Sequence, residues 1–265
     1  MIDTPAKRTD DPTPEPRAYP ARKIWWIVGG TLTAAVLVFT MGVAGVWIWV
    51  ATSPEESYTL TEQYGPVTDA QAEVEVGNIE LESVPGPELE LRTHVVWRGS
   101  EPDHTEEEYR ATFLADAGCD AGLAIWGGID ECRVDYTLGL APGTPAEVGT
   151  DVGDIRLSGV DGEIEAETSV GDIKGVDLRT TGLVAEASVG TVDLSFDQVL
   201  GDIEVTTGTG DVVIEVPDDG TTYAVVFDTG VGEQHIDIAT DPGAAADRVI
   251  TVTTGVGSLT VRYAA

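Results

Sequence analysis

Residues 152–194 read VGDIRLSGVDGEIEAETSVGDIKGVDLRTTGLVAEASVGTVDL, and this stretch decides the fold. It repeats one phrase, in which a valine and a glycine precede a small polar or acidic residue and then alternating apolar positions. The phrase also occurs at 76–81 and continues towards the C-terminus, with its glycines at 153, 171, 190, 210, 232 and 257. A second alternating phrase lies between successive copies. Two short strands therefore recur about every 20 residues, which is the size of one coil of a β-solenoid.

Stacking explains why such a repeat is needed. A single unit has one apolar row, for example Ile155, Leu157, Ile164 and Ala166, and two strands cannot bury that row alone. Stacked copies bury these rows in one continuous core. The sequence predicts an all-β fold, a parallel β-helix or β-roll solenoid with about 20 residues per coil, preceded by one transmembrane α-helix. A β-sandwich is the alternative, because short strands at this spacing also suit that fold.

The phrases GDIRLSGVDGEIEAETSVGDIKGVDL (153–178) and TGTGDVVIEVPDDGTTYAVVFDTGVG (207–232) resemble the bacterial putative-adhesin family of β-strand-repeat domains. The resemblance covers about residues 67–263 apart from one insertion. It implies a parallel β-helix or β-roll, and an N-terminal membrane helix, which members of the family often have. It implies no catalytic residues, since the family has no established activity.

An uncharged segment of 27 residues runs from Ile24 to Val50. It exceeds the roughly 18 residues that mark a spanning helix, and it is longer than the apolar core of a cleavable signal peptide, the competing interpretation. Arg22 and Lys23 precede it directly, whereas the first cation after it is Arg92, which predicts a cytoplasmic N-terminus. Tryptophans flank the segment as interfacial anchors would, at Trp25, Trp26, Trp47 and Trp49.

Four regions follow from these features. Residues 1–23 contain five prolines and charges of both signs, which predicts a disordered cytoplasmic tail. Residues 24–50 form the transmembrane helix, and 51–65 a polar linker. Residues 66–265 form the extracytoplasmic β-solenoid domain, with an insertion at about 98–132.

The chain is strongly acidic, with 14 Lys and Arg against 47 Asp and Glu and a formal net charge of −33. This balance excludes a nucleic-acid binder, because phosphate backbones are held by cationic patches. Alternation places many of the acids after the span on outward strand positions. They are expected to form a solvated face that discourages edge pairing.

The insertion departs from the repeat. Thr105 and Glu108 have the spacing of a helical capping box, and Tyr109, Phe113 and Leu114 would then share one helical face. We therefore expect a short helix there. It would either cover the open end of the solenoid or protrude as a partner-binding element.

Two cysteines, Cys119 and Cys132, lie in the same insertion. In an oxidising exterior a pair this close in sequence most simply forms a structural disulfide. A zinc site would need more ligands, and His104 is the only histidine nearby.

Asp154, Asp172 and Asp211 follow the corner glycine in three copies of the phrase and are the only metal candidates. They could hold calcium, which binds six to eight oxygen ligands. Other copies have Thr191, Glu233 or Ser258 at this position, which favours a turn role in which the side chain accepts backbone hydrogen bonds. No cofactor is expected.

No catalytic motif is present, and the three histidines are scattered at His94, His104 and His235. We expect a non-enzymatic cell-surface module for envelope adhesion or interaction. Its partners would be the lipid bilayer, through 24–50, and an envelope protein or glycan. The alternatives are a sensor of envelope stress acting through the tail, a calcium-binding β-roll and a polysaccharide-active enzyme.

Overall fold

The computed structural model describes residues 21–52, 54–119, 132–241 and 246–264. The chain forms two compact units, one ending at Thr52 and the other beginning at Ser53. Residues 1–20 of the expected tail lie outside the described residues, as do the side chains of Arg22, Lys23, Trp25 and Trp49.

The first unit contains one helix, α1 (Ala21–Thr52). Its segment Trp26–Ile48 is long and apolar enough to cross a membrane. Trp26 and Trp47 are 77% and 46% exposed within the protein. Residues 21–23 and 51–52, expected in the tail and the linker, are helical, because the sequence has no proline between Pro20 and Pro54 to interrupt a helix.

The second unit consists of strands in two sheets. Sheet A contains, in spatial order, β1 (Glu56–Tyr64), β4 (Leu89–Trp97), β7 (Cys132–Leu140), β3 (Ile79–Ser83), β9 (Ile155–Ser158), β11 (Ile173–Leu178), β13 (Val192–Phe196), β15 (Val212–Val216), β19 (Leu259–Tyr263) and β17 (Gln234–Asp237). Sheet B contains β16 (Tyr223–Val231), β18 (Arg248–Val256), β14 (Ile203–Thr209), β12 (Gly182–Val189), β10 (Glu163–Val170), β8 (Ala146–Val152), β2 (Asp69–Val76), β6 (Thr112–Gly118) and β5 (Asp103–Tyr109).

From β7 onwards successive strands alternate between the sheets, and from β8 onwards each strand pairs in parallel with its equivalents in the neighbouring coils. Ile173 of β11 lies opposite Ile155 on one side and Val192 on the other. Ile164 of β10 likewise lies between Ala146 and Leu183. Each pair of strands is one coil, so the parallel solenoid is confirmed and the β-sandwich is not the fold.

The core lies between the two sheets and follows the period-2 alternation. Ile155, Ile173, Val192 and Leu194 are completely buried, and Ala166 and Ala185 face them from sheet B at 0% exposure. Each large apolar side chain buried in this way contributes about 1.5–3 kcal/mol, so the stacked rows are the main stabilising feature of the domain.

Glycine at the corner of each coil permits the close stacking. A Cβ on Gly153 would lie 1.7 Å from the carbonyl oxygen of Gly77 in the neighbouring coil. The corner glycines 77, 171, 190, 210, 232 and 257 have equally close carbonyl neighbours. No side chain fits there, which is why this residue recurs in every copy.

The last coils are stacked out of sequence order. The C-terminal coil, β18 and β19, lies between β14–β15 and β16–β17. Ile250 pairs with Ile203 on one side and with Val225 on the other. The outermost coil is therefore the penultimate one in the chain.

The insertion contains no helix in its described residues, so that prediction is wrong. β5 and β6 form an antiparallel hairpin, and β6 pairs in parallel with β2, which extends sheet B at its end. The two-residue turn between them is Arg110–Ala111, with φ of 53° and 65°. Such left-handed turns match the twist of paired strands, and the open edge of β2 provides a partner that an isolated helix would lack.

The predicted linker is also corrected. Residues 56–64 form β1, which pairs with β4 in antiparallel register from Glu56↔Trp97 to Tyr64↔Leu89. Its polar residues suit an edge strand that is largely exposed on one face.

Candidate functional site

The three aspartates proposed as metal ligands are used in contacts between coils. The backbone N–H of Asp172 donates to Oδ1 of Asp154 at 3.1 Å, and the N–H of Thr191 donates to Oδ1 of Asp172 at 2.8 Å. The N–H of Ser258 donates to Oδ1 of Asp211, also at 2.8 Å. Each carboxylate thus bonds the next coil of the stack. The carboxylates accept backbone hydrogen bonds, as the Thr and Ser replacements suggested, but the donors belong to the neighbouring coil and not to the local turn.

The same ladder extends into the earlier coils. Asn78 accepts from the N–H of Asp154 at 2.9 Å and donates its own N–H to Asp135 at 2.7 Å. Thr191 stands in the coil between Asp172 and Asp211, so the three aspartates do not converge. Among the described residues no three His, Cys, Asp or Glu side chains form a group able to hold a metal ion.

Threonines form a second ladder that the sequence reasoning missed. The hydroxyls of Thr150, Thr168 and Thr207 donate to the carbonyls of Gly77, Gly153 and Gly190, at 2.9, 3.0 and 3.3 Å. The sequence does contain a pattern that predicts this ladder, because a threonine recurs three residues before the corner glycine.

The disulfide between Cys119 and Cys132 is formed, with the Cα atoms 5.8 Å apart. It joins the end of β6, in sheet B, to the start of β7, in sheet A. The bridge therefore links the two sheets covalently at the end of β6 and the start of β7.

A polar cluster lies where β1, β4, β5 and β7 meet. Oε1 of Glu106 accepts from the Tyr136 hydroxyl at 3.0 Å and from Thr93 at 3.4 Å, and it is 2.8 Å from Nδ1 of His104. Nε2 of His104 is 2.5 Å from the Tyr58 hydroxyl. Burial, then the nearby carboxylates, raise the pKa values of Tyr58 and Tyr136.

This cluster closes the end of the solenoid. Thr93 and Tyr136 are 1% exposed, so the cluster lies within the fold. His94, on β4, is 2.9 Å from the Thr59 hydroxyl, and His235 is exposed on β17, so the histidines do not come together. The described contacts are those of a structural cap joining the edge strands of the two sheets.

The outer face of sheet B has a groove of about 430 Å³ across β5, β6, β2, β8 and β10. Its lining includes six acids and no Lys or Arg: Glu73, Glu107, Asp116, Glu147, Glu165 and Glu167. Glu147 lies opposite Glu165, and Glu73 lies opposite Asp116, so like charges face one another across the strands. Such pairs are destabilising, and they give this surface a negative potential.

Gly149 gives the groove its depth. It lies between Glu73 and Glu167 in the register of the sheet. A Cβ at this position would meet only the Cγ of Glu73, at 3.8 Å, which is an ordinary contact. Packing therefore does not require glycine here. It does require glycine in the corner column, by which we mean the stacked corner glycines 77, 153, 171, 190, 210, 232 and 257.

The family model for Toastrack DUF4097 matches residues 59–263. The chain belongs to the Toastrack DUF4097 family. The resemblance to repeat-containing putative adhesins drawn from the sequence is thereby confirmed. The Toastrack family is not an enzyme family. A comparison with curated proteins finds no match.

Three solved structures similar to this Toastrack chain are a putative cell adhesion protein from Clostridium sporogenes and putative adhesins from Bacteroides fragilis and Parabacteroides merdae. The first has 13% identity and a TM-score of 0.44, over 79% of this chain and 100% of the other. The second has 14% identity and a TM-score of 0.40, over 77% and 97%. The third has 8% identity and a TM-score of 0.35, over 81% and 98%.

Proposed function

We propose that this chain is a non-enzymatic, membrane-anchored module of the bacterial cell surface, serving envelope adhesion or interaction. Its contact face is the groove on sheet B. The observation that carries the proposal is the groove itself, a concave surface lined by acids and deepened by a glycine that packing does not require. By contrast, the aspartates, threonines and glycines of the corners are used in holding coils together.

The chemistry of the groove selects the partner. Six carboxylates without a neighbouring cation attract positively charged groups, so the partner is an envelope protein or glycan that presents amines or guanidinium groups. The contact weakens with salt, because exposed charges are screened over about 8 Å at physiological ionic strength.

The full chain in nanodiscs tests this proposal, with a fluorescent lysine-rich peptide as the probe. Glu147→Gln together with Glu165→Gln removes the facing pair. As the control, Glu204→Gln with Asp228→Asn removes two exposed acids from β14 and β16 of the same sheet, away from the groove. The groove pair should weaken binding roughly tenfold and the control pair less than about threefold. Equal losses of peptide affinity in both double variants would mean that the peptide responds to the overall negative charge of the domain and that the groove is not its binding site.

Filling the groove gives an independent readout. Gly149→Leu places a side chain in the floor, and its Cβ makes only an ordinary contact with Glu73, at 3.8 Å. Capture of an envelope component by the wild-type chain should be lost in this variant while its melting temperature stays unchanged or rises. If the Gly149→Leu variant still captured the envelope component, the groove would be excluded as the contact face.

The anchor is part of the proposal. Segment Trp26–Ile48 would span the bilayer, with Arg22 and Lys23 on the cytoplasmic side and the β domain outside. Single cysteines introduced at Thr4 and at Asp218 should differ in labelling by a membrane-impermeant maleimide on intact cells, with only Asp218→Cys labelled. The reverse pattern would overturn the orientation.

A further inference from the structure

A row of valines runs along one corner of the solenoid. Each of them directly precedes a corner glycine, and the register of sheet B stacks them on one another, as in Val152↔Val170 and Val170↔Val189. Thr209 stands at the same position in one coil, between Val189 and Val256. We call the six valines the valine row: Val76, Val152, Val170, Val189, Val231 and Val256.

Most of the valine row is open to solvent. Val152, Val170, Val189 and Val256 are between 49% and 52% exposed, and Val231 is 67% exposed. These five are nearly half of the eleven exposed large apolar residues in the described part of the second unit, so the exposure is concentrated in one line. The coil with threonine in this position shows that the corner also accepts a hydroxyl. A contiguous apolar patch that the fold does not require marks an interaction surface.

The valine row offers side chains and no free backbone. Its carbonyls are already bonded between coils, as where the Gly153 N–H donates to the Val170 carbonyl at 3.0 Å. A partner strand therefore has nothing to pair with here. With strands about 4.8 Å apart, the seven stacked positions span about 29 Å in single file. This length matches the apolar stripe of an amphipathic α-helix of about 19 residues.

Acids lie on both sides of the valine row. On one side Asp151 directly precedes it, and on the other Asp172, Asp211 and Glu233 each follow it by two residues. No Lys or Arg stands within two residues of any of the seven stacked positions. These acids attract a helix that carries cations on both sides of its apolar stripe. They repel the same row of a second copy and an anionic lipid surface.

We propose that the valine row docks a cationic amphipathic helix of a partner protein. The apolar stripe of the helix lies along the valines, and its Lys or Arg side chains reach the acids on either side. No valine of the row lines the acidic groove, so this is a second surface and the inference does not depend on the proposed function.

Binding of a fluorescent peptide to the full chain in nanodiscs tests the proposal. The probe is a helical peptide of leucine and lysine, about 19 residues long, with all its leucines on one face. The control peptide has the same composition with its leucines spread around the helix. Empty nanodiscs measure the partition of each peptide into lipid, which is subtracted. The patterned peptide should bind the chain at least about tenfold more tightly than the control peptide.

Variants of the valine row have a matched control. Val170→Thr with Val189→Thr introduces the residue that Thr209 already provides in the neighbouring coil, so the melting temperature should be kept. Val176→Thr with Val226→Thr makes the same change at valines outside the row that are 40% and 54% exposed. The row pair should weaken binding of the patterned peptide at least about fivefold, and the control pair less than about twofold.

A second pair of substitutions tests the flanking charges. Asp172→Asn with Asp211→Asn removes two carboxylates and keeps the oxygen that bonds the next coil. Asn78 already fills this role in an earlier coil, where its Oδ1 accepts from the Asp154 N–H at 2.9 Å. The pair should weaken binding of the patterned peptide about threefold at low ionic strength, and the difference should disappear in about 1 M salt.

Four results would overturn the proposal. Equal binding of the two peptides would exclude recognition of an apolar stripe. Equal weakening by the row pair and the control pair would exclude the valine row as the site. Loss of binding in Glu147→Gln with Glu165→Gln, with none in the row pair, would place the peptide in the acidic groove. Association of wild-type nanodiscs with one another that the row pair abolishes would assign the valine row to a second copy of the chain.

Discussion

The coils from β8 to β19 and the antiparallel part, made of β1 and the strands from β4 to β7, bury an apolar row in different ways. In the coils, equivalent residues stack on one another, and the closest contacts are between main-chain atoms, as at Gly153. In β4 to β7, strands of unlike sequence pair in antiparallel order, and side chains such as Tyr136, Thr93 and Glu106 make the contacts. The coils thus depend on small residues at fixed positions, and the antiparallel part depends on a buried polar cluster and a disulfide.

The largest effect should come from filling the corner column. A Cβ on Gly171 would lie 1.8 Å from the carbonyl oxygen of Gly153, so Gly171→Ala must displace backbone and should lower the free energy of unfolding by about 3 kcal/mol. Gly149→Ala, with its nearest contact at 3.8 Å, is the control and should be neutral or stabilising. Denaturant unfolding of residues 53–265 compares the two, and similar losses would remove the distinction between column and groove glycines.

The antiparallel part should be the more sensitive to alkali. Burial raises the pKa of Tyr136 and also that of Tyr64, so both stay protonated in the folded state while the unfolded chain ionises near pH 10. Their contribution is fully present below pH 10 and is lost as pH rises beyond it. Between the unfolded-state and folded-state pKa values, the free energy of unfolding should fall by about 1.4 kcal/mol per pH unit for each tyrosine.

Urea unfolding at a series of pH values from neutral to alkaline measures this slope. In the coils, burial raises the pKa of Tyr223 to about 12, so a smaller alkaline loss comes from that region. Tyr136→Phe should reduce the slope of the unfolding free energy against pH above pH 10. At lower pH the variant should differ from the wild type only by the loss of the hydroxyl contact with Glu106. An unchanged slope would show that Tyr136 ionises freely in the folded state.

Within the coils, the threonine ladder provides a smaller test. Thr168 donates to the Gly153 carbonyl, so Thr168→Val should cost about 1 kcal/mol. The hydroxyl of Thr254 occupies the equivalent position, is buried and has no hydrogen-bond partner in the described structure. Thr254→Val should therefore be neutral or stabilising. Equal costs for both, measured by thermal unfolding, would contradict this difference between coils.

The smallest effect is expected at the hairpin turn of the antiparallel part. Ala111 has a φ of 65°, in the region where a side chain costs about 1 kcal/mol and glycine does not. Ala111→Gly should raise the free energy of unfolding by up to about 1 kcal/mol, less the entropy that glycine adds to the unfolded chain. Hydrogen exchange at the β5–β6 amides checks the site, and faster exchange would contradict the prediction.

These contrasts also show which features the sequence could predict. The valine–glycine phrase identifies the coils because the buried rows require apolar residues at every second position and the crowded corner requires glycine. The sequence of the β5–β6 hairpin is ambiguous. Thr105 and Glu108 have the spacing of a helical capping box, yet both lie in strand β5. The choice depends on the edge of β2, which pairs with β6 and is distant from these residues in sequence.

The sequence by itself determined the parallel coil, its length, the corner glycines, the apolar segment and the cysteine pair, because each rests on local spacing. The tertiary structure alone decided the order of the last coils, since all copies of the phrase are equivalent and any two can stack. It also decided that the corner aspartates bond to neighbouring coils, and that acids from five strands converge on one groove. These features depend on register between distant strands, which local patterns do not specify.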